Sequence, residues 1–120
     1  MRNGSSAAWH HQGMFLLVAH FDGDPDPDDA AAVSLLAAQP TCRRLRFARS
    51  TENATVRVLV AEFDSAAGYR TALSPFDVRT LVVPWLSRAQ VDSSGVFEVV
   101  DSADGGRLES FTPTVDDPGR

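Results

Sequence analysis

The nine residues Thr55–Phe63, TVRVLVAEF, constrain the fold of this chain more than any other stretch. β-Branched and other apolar residues dominate it, with no turn residue inside, which reads as a strand. Side chains alternate across a strand, so Val56, Val58 and Val60 share one face and Leu59, Ala61 and Phe63 the other. Both faces are largely apolar, and such a strand requires cover on both sides. A helix-like run follows at once over Asp64–Ser74, DSAAGYRTALS, capped at Asp64 or Ser65, with Ala66, Tyr69 and Leu73 as its inward stripe.

The same two-faced pattern occurs at Phe15–Phe21, FLLVAHF. Phe15, Leu17, Ala19 and Phe21 line one side, while Leu16, Val18 and His20 line the other. The run Asp22–Asp29, DGDPDPDD, then breaks the strand. Its alternating aspartates resemble the start of a calcium loop. The glycine and bidentate glutamate such a loop requires are missing: counting from Asp22 puts Pro27 and Val33 at those positions. The run is instead expected to start a helix over Pro27–Ala38, with Asp26 as cap and Asp28 and Asp29 at the positive end of the dipole. Gln39-Pro40 ends it.

Thr41–Ser50, TCRRLRFARS, is the second strand. Its arginines are those of a charge-guarded edge, with an anion-holding cluster as the alternative. Thr51–Ala54 joins it to Thr55–Phe63 in a hairpin, with Asn53 suited to a left-handed turn position. After Ser74-Pro75 a second helical piece is expected over Asp77–Ala89, carrying Leu81, Val82, Trp85 and Leu86, with Pro84 kinking it. Gly95–Val100 is the fourth strand. Residues 1–13 read as a disordered extension in which the adjacent His10 and His11 fix no metal geometry. Residues 14–100 form the domain. Residues 101–120, rich in Gly, Pro, Asp and Ser, read as a flexible tail.

At 120 residues the chain is one domain. A net charge of −5 and a pI near 5.0 argue against nucleic acid and anionic membrane surfaces as partners. The longest apolar runs are too short to cross a bilayer. Cys42 is the single cysteine, so no intrachain disulfide or cysteine metal cluster forms, and a cytoplasmic location is expected. Every basic side chain except histidine is Arg, and Lys and Ile are absent, which suggests a high-GC, actinobacterial source.

The element order is strand, helix, strand, strand, broken helix, strand. This is the ferredoxin-like β-α-β-β-α-β plan, an α+β fold with both helices on one face of a four-stranded antiparallel sheet. The opposite face, with Val56, Val58 and Val60, stays bare. It is too apolar to leave in water. A second copy packed sheet to sheet covers it, giving a homodimer in the form of a dimeric α+β barrel.

The segments Ala61-Glu62-Phe63-Asp64-Ser65, Tyr69-Arg70-Thr71-Ala72-Leu73-Ser74-Pro75-Phe76 and Phe97-Glu98-Val99 resemble the antibiotic biosynthesis monooxygenase-like family of dimeric α+β barrel proteins. The resemblance spans about Phe15–Val100. It implies cofactor-independent oxygenation of phenols or quinols, in which the reduced substrate supplies the electrons and neither cofactor nor metal is needed. Some relatives instead degrade haem. Many members end the third strand in Trp, where this chain has Phe63. Many carry His in the next helix, where this chain has Thr71. Haem-degrading members use an Asn on the first strand, and here only His20 is near. A small apolar pocket between sheet and helices is expected, lined by Leu59, Phe63, Tyr69 and Trp85, with His20 and Tyr69 as proton-transfer groups and Arg57 to stabilise a phenolate or enolate. A non-enzymatic homodimer that binds a small aromatic or apolar ligand, or is purely structural, is the alternative.

Overall fold

The computed structural model of the chain describes residues 13–113. The extension at residues 1–12, with His10 and His11, and the end of the tail from residue 114 lie outside them.

Four strands form one antiparallel sheet: β1 (Phe15–Phe21), β2 (Cys42–Arg49), β3 (Arg57–Phe63) and β4 (Gly95–Glu98). Their order across the sheet is β2-β3-β1-β4. That is the order the ferredoxin-like plan requires, with β3 inserted between the two strands joined by the first helix. β1 and β3 pair along their whole length, from Phe15 opposite Phe63 to Phe21 opposite Arg57. Their burial alternates in step: Phe15, Leu17, Ala19 and Phe21 are buried with Arg57, Leu59, Ala61 and Phe63, while the residues between are half-buried.

The helices lie on that buried side. α1 (Asp29–Ala37) contributes Ala32 and Leu36, one turn apart and both fully buried. It starts two residues later than expected. Asp26 does not cap it: its Oδ1 accepts from the backbone N–H of Asp28, which closes a turn ahead of the helix. α2 (Ala66–Ala72) is capped by Ser65, whose Oγ accepts from the Gly68 N–H at 3.0 Å. The next helical piece opens with a π-turn, Val78–Val82, and continues as α3, Val83–Leu86. The Val83 N–H donates to the Val78 carbonyl five residues back. Pro84 follows in the first turn of α3, where its missing N–H does least harm.

Trp85 is the centre of the core. It is fully buried, stacks on Phe21 with ring centroids 4.6 Å apart, and meets Phe47 at 5.9 Å. Phe63, Leu59, Val78 and Val82 complete the interior.

Three further local expectations differ from the structure. No non-glycine residue among those described has a positive φ, so Asn53 is not left-handed. It shapes the β2–β3 connection through its side chain instead, accepting from the Thr55 N–H at 3.1 Å. The fourth strand stops at Glu98. The stretch expected to be an irregular tail contains a hairpin, β5 (Asp101–Asp104) and β6 (Arg107–Ser110), turned at Gly105 and Gly106 with φ of 60° and 82°. Two successive positive φ angles make the tight turn whose twist suits a hairpin, and only glycine adopts them without strain. No described helix is long and apolar enough to cross a membrane.

Candidate functional site

β4 covers only half of β1. The pairing runs from Phe15 opposite Glu98 to Val18 opposite Gly95, and there β4 begins. Beyond that point the main chain of His20 finds other partners. Its N–H donates to Ser94 Oγ at 3.0 Å, and its carbonyl accepts from the Gln90 N–H at 2.8 Å. A single 3₁₀ turn, Val91–Ser93, thus stands in for the missing strand.

A groove of about 270 Å³ opens beside this turn. Leu17 and Ala19 of β1, Val96 of β4, Leu86 of α3 and Tyr69 of α2 wall it, and Ser87 and Ser94 add hydroxyls. The volume suits a small molecule, and the lining is that of a ligand site: mostly apolar with a few polar groups. Tyr69 is the one ionisable side chain in that lining. Its ring meets Phe63 edge-on at 5.6 Å. Burial pushes the phenol above its usual value near 10, because the phenolate loses hydration. The hydroxyl has no hydrogen-bond partner among the described residues, so it is free to donate to a ligand.

The structure separates the other residues singled out in the sequence. Leu59, Phe63 and Trp85 lie on the helix side but are fully buried in the packed core. His20 pairs with Val58 in the register and so lies on the opposite face of the sheet. Its Nδ1 is 2.7 Å from the Ser93 carbonyl. Arg57 is on the helix side but its charge is already engaged. Its Nη1 donates to the Gly23 and Thr55 carbonyls, each at 3.0 Å, and its Nη2 lies 3.4 Å from Asp29 Oδ2. The guanidinium sits 5.8 Å from the Phe21 ring centroid, and its buried Nε has no partner among the described residues. These contacts make Arg57 a clamp for the loop before α1 rather than a free cation facing the groove. Sequence reasoning missed Leu86, Val96 and Ser94 as wall residues. The sequence signal for Leu17 and Ala19 was their shared parity on β1.

The bare sheet face is as the alternation requires. Leu16, Val18, Val58 and Val60 form a half-buried apolar centre, Val56 lies just ahead of β3, and Phe97 on β4 is 50% exposed. Exposed Arg44 and Arg46 of β2 border it.

No protein-family model matches the chain, and no curated protein matches it in sequence. Solved structures do. SnoaB, a cofactor-independent oxygenase from Streptomyces nogalater, is 18% identical, with 72% of this chain and 93% of SnoaB covered and a TM-score of 0.58. A conserved protein from Methanosarcina mazei Go1 is 9% identical over 88% of this chain and 99% of its own, with a TM-score of 0.57. A protein from Chloroflexus aurantiacus J-10-fl, provisionally named an antibiotic biosynthesis monooxygenase, is 17% identical over 79% of this chain and all of its own, with a TM-score of 0.56. The chain has the antibiotic biosynthesis monooxygenase-like fold. Identities this low establish the fold alone, and one such fold hosts many functions. In this chain the groove lies between the helix layer and the half-covered end of β1.

Proposed function

We propose that this protein is a homodimer in which each protomer binds a small, flat, largely apolar molecule in the groove beside Tyr69. The groove itself carries the reading: apolar walls, two serine hydroxyls and one phenol with its hydrogen-bonding capacity unspent. A phenolic or quinone-like ligand matches that lining, with its ring against Leu17 and Leu86 and an oxygen at the Tyr69 hydroxyl. The bare sheet face supports the dimer. Apolar side chains at its centre with arginines beside them match the core-and-rim pattern of a protein interface. Val58 and Val60, with Val56 at the margin, form the middle of that contact.

Thermal unfolding with a panel of phenols, quinols and anthrones tests the binding site. A ligand at 100 times its Kd stabilises by about 2.7 kcal/mol, a shift of several degrees for a domain this size. Val96→Arg, at an exposed wall position, removes the shift. A panel in which no compound moves the melting temperature overturns the reading.

The likeness to SnoaB supports a second reading, catalysis of oxygen uptake by the bound phenol or quinol. Tyr69 would then handle the proton, since His20 sits across the sheet and Arg57 is held by Asp29. Uptake that is abolished in Tyr69→Phe, with binding retained, selects this reading. Binding without uptake selects the non-enzymatic one.

A further inference from the structure

Among the described residues the β5–β6 hairpin packs substantially on no other element. Its substantial packing is of one strand against the other, and nearly every residue in it is exposed, Leu108 by 70%. A lone two-stranded hairpin is marginal in water. It carries Asp101, Asp104 and Glu109 against a single Arg107. At the other edge of the sheet, β2 presents Arg44, Arg46 and Arg49, all exposed and without an ion pair among the described residues. We propose that the hairpin of one copy docks along the arginine-bearing β2 edge of a second copy.

The inference rests on the face-to-face dimer proposed above and adds the arm that locks it. Sheet order makes the reach short. With β2 at one edge and β4 at the other, a two-fold axis parallel to the strands sets β4 of one sheet opposite β2 of its partner. The hairpin begins three residues after β4 ends, so it emerges at that seam. On its own domain it is separated from β2 by the width of the sheet. The acidic hairpin meets a basic edge whose outer main-chain groups are unpaired, and addition of a strand to an open edge is a common binding mode. An edge guarded by arginine repels other basic edges and accepts this one acidic partner.

Charge exchange in the full chain tests the contact, with sedimentation equilibrium reading the dimer Kd. Asp104→Arg with Glu109→Arg on the hairpin weakens the parent dimer about tenfold, and so does Arg44→Glu with Arg46→Glu on β2. All four changes together return the Kd to within about threefold of the parent, a recovery that misfolded variants do not show. The hairpin docking is overturned if either reversal leaves the Kd unchanged, or if the combination fails to recover it. A parent chain that is monomeric at micromolar concentration overturns both readings, whereas a parent dimer indifferent to the reversals overturns the hairpin alone.

Discussion

Trp85 Nε1 donates to Asp29 Oδ1 at 2.8 Å, joining α3 to the first residue of α1 across 56 positions of sequence. The other oxygen of the same carboxylate faces Arg57 and accepts from the Asp26 N–H at 3.3 Å. One side chain therefore satisfies the buried indole and compensates the buried guanidinium.

Asp29→Ala is expected to cost about 3–5 kcal/mol, because it leaves the Arg57 charge buried without its counter-ion. Asp29→Leu combined with Arg57→Met recovers the part of that loss due to the unpaired charge, while the Trp85 N–H stays without its acceptor. Denaturant unfolding of the single and double variants measures both, and equal losses in the two would contradict the pairing.

Trp85→Ala empties the space at the junction of Phe21, Phe47 and α1, and the expected loss is about 3–5 kcal/mol. Trp85→Phe keeps most of the packing but orphans the Asp29 oxygen, so it falls between Trp85→Ala and the parent. Thermal melts rank the three.

The chain has one tyrosine, so its phenolate absorbance reports Tyr69 alone. Burial raises that phenol, so the ultraviolet titration midpoint lies above 10 in the folded protein and returns toward 10 on unfolding. The sign follows from the raised value. The stabilising contribution is complete below pH 10 and declines as the pH climbs through the folded midpoint. A ligand that covers the hydroxyl moves the midpoint higher still.

Asp26 responds at the acid end. The Asp28 backbone N–H and then the Arg88 guanidinium hold its carboxyl below the usual 3.8. Its contribution is therefore present above pH 3.8 and is lost as the pH falls through the lower folded value. Melting temperatures followed from about pH 7 to about pH 2 should show a shallower acid decline in Asp26→Asn than in the parent. Parallel curves would sink the assignment.

Gly106→Ala puts a methyl group into open space at φ 82°, so the change acts through backbone strain alone. A cost of about 1 kcal/mol falls on the hairpin and not on the core. Amide exchange in Arg107–Ser110 quickens, while exchange in β1 and β3 is unaltered.

Much of this was legible in particular residues. The largely apolar, alternating stretch Thr55–Phe63 placed β3 and the parity of its faces, and Asp64 or Ser65 marked the start of α2, which Ser65 caps. Parity also located His20 opposite Leu17 and Ala19, so its place away from the groove could be read from FLLVAHF alone. Arg57 was harder. Alternation sets it on the helix side, but its partner, Asp29, is 28 residues upstream at the start of α1, which only the fold brings close. The hairpin hid because its strands are short and polar, although Gly105-Gly106 is a turn signal in itself. The groove was illegible for a different reason: it is bounded by where β4 begins, and strand ends are the least determined feature of a sequence.

That starting point has a consequence for how such a chain changes over time. The opening at Tyr69 lies where β4 begins to pair with β1, so its extent depends on that first paired residue as well as on the side chains that wall it. Starting the pairing two residues earlier would seal the aperture without altering the core, and starting it later would enlarge it. A drift in strand length at this margin is thus a route by which copies of the same scaffold come to hold guests of different sizes, or none.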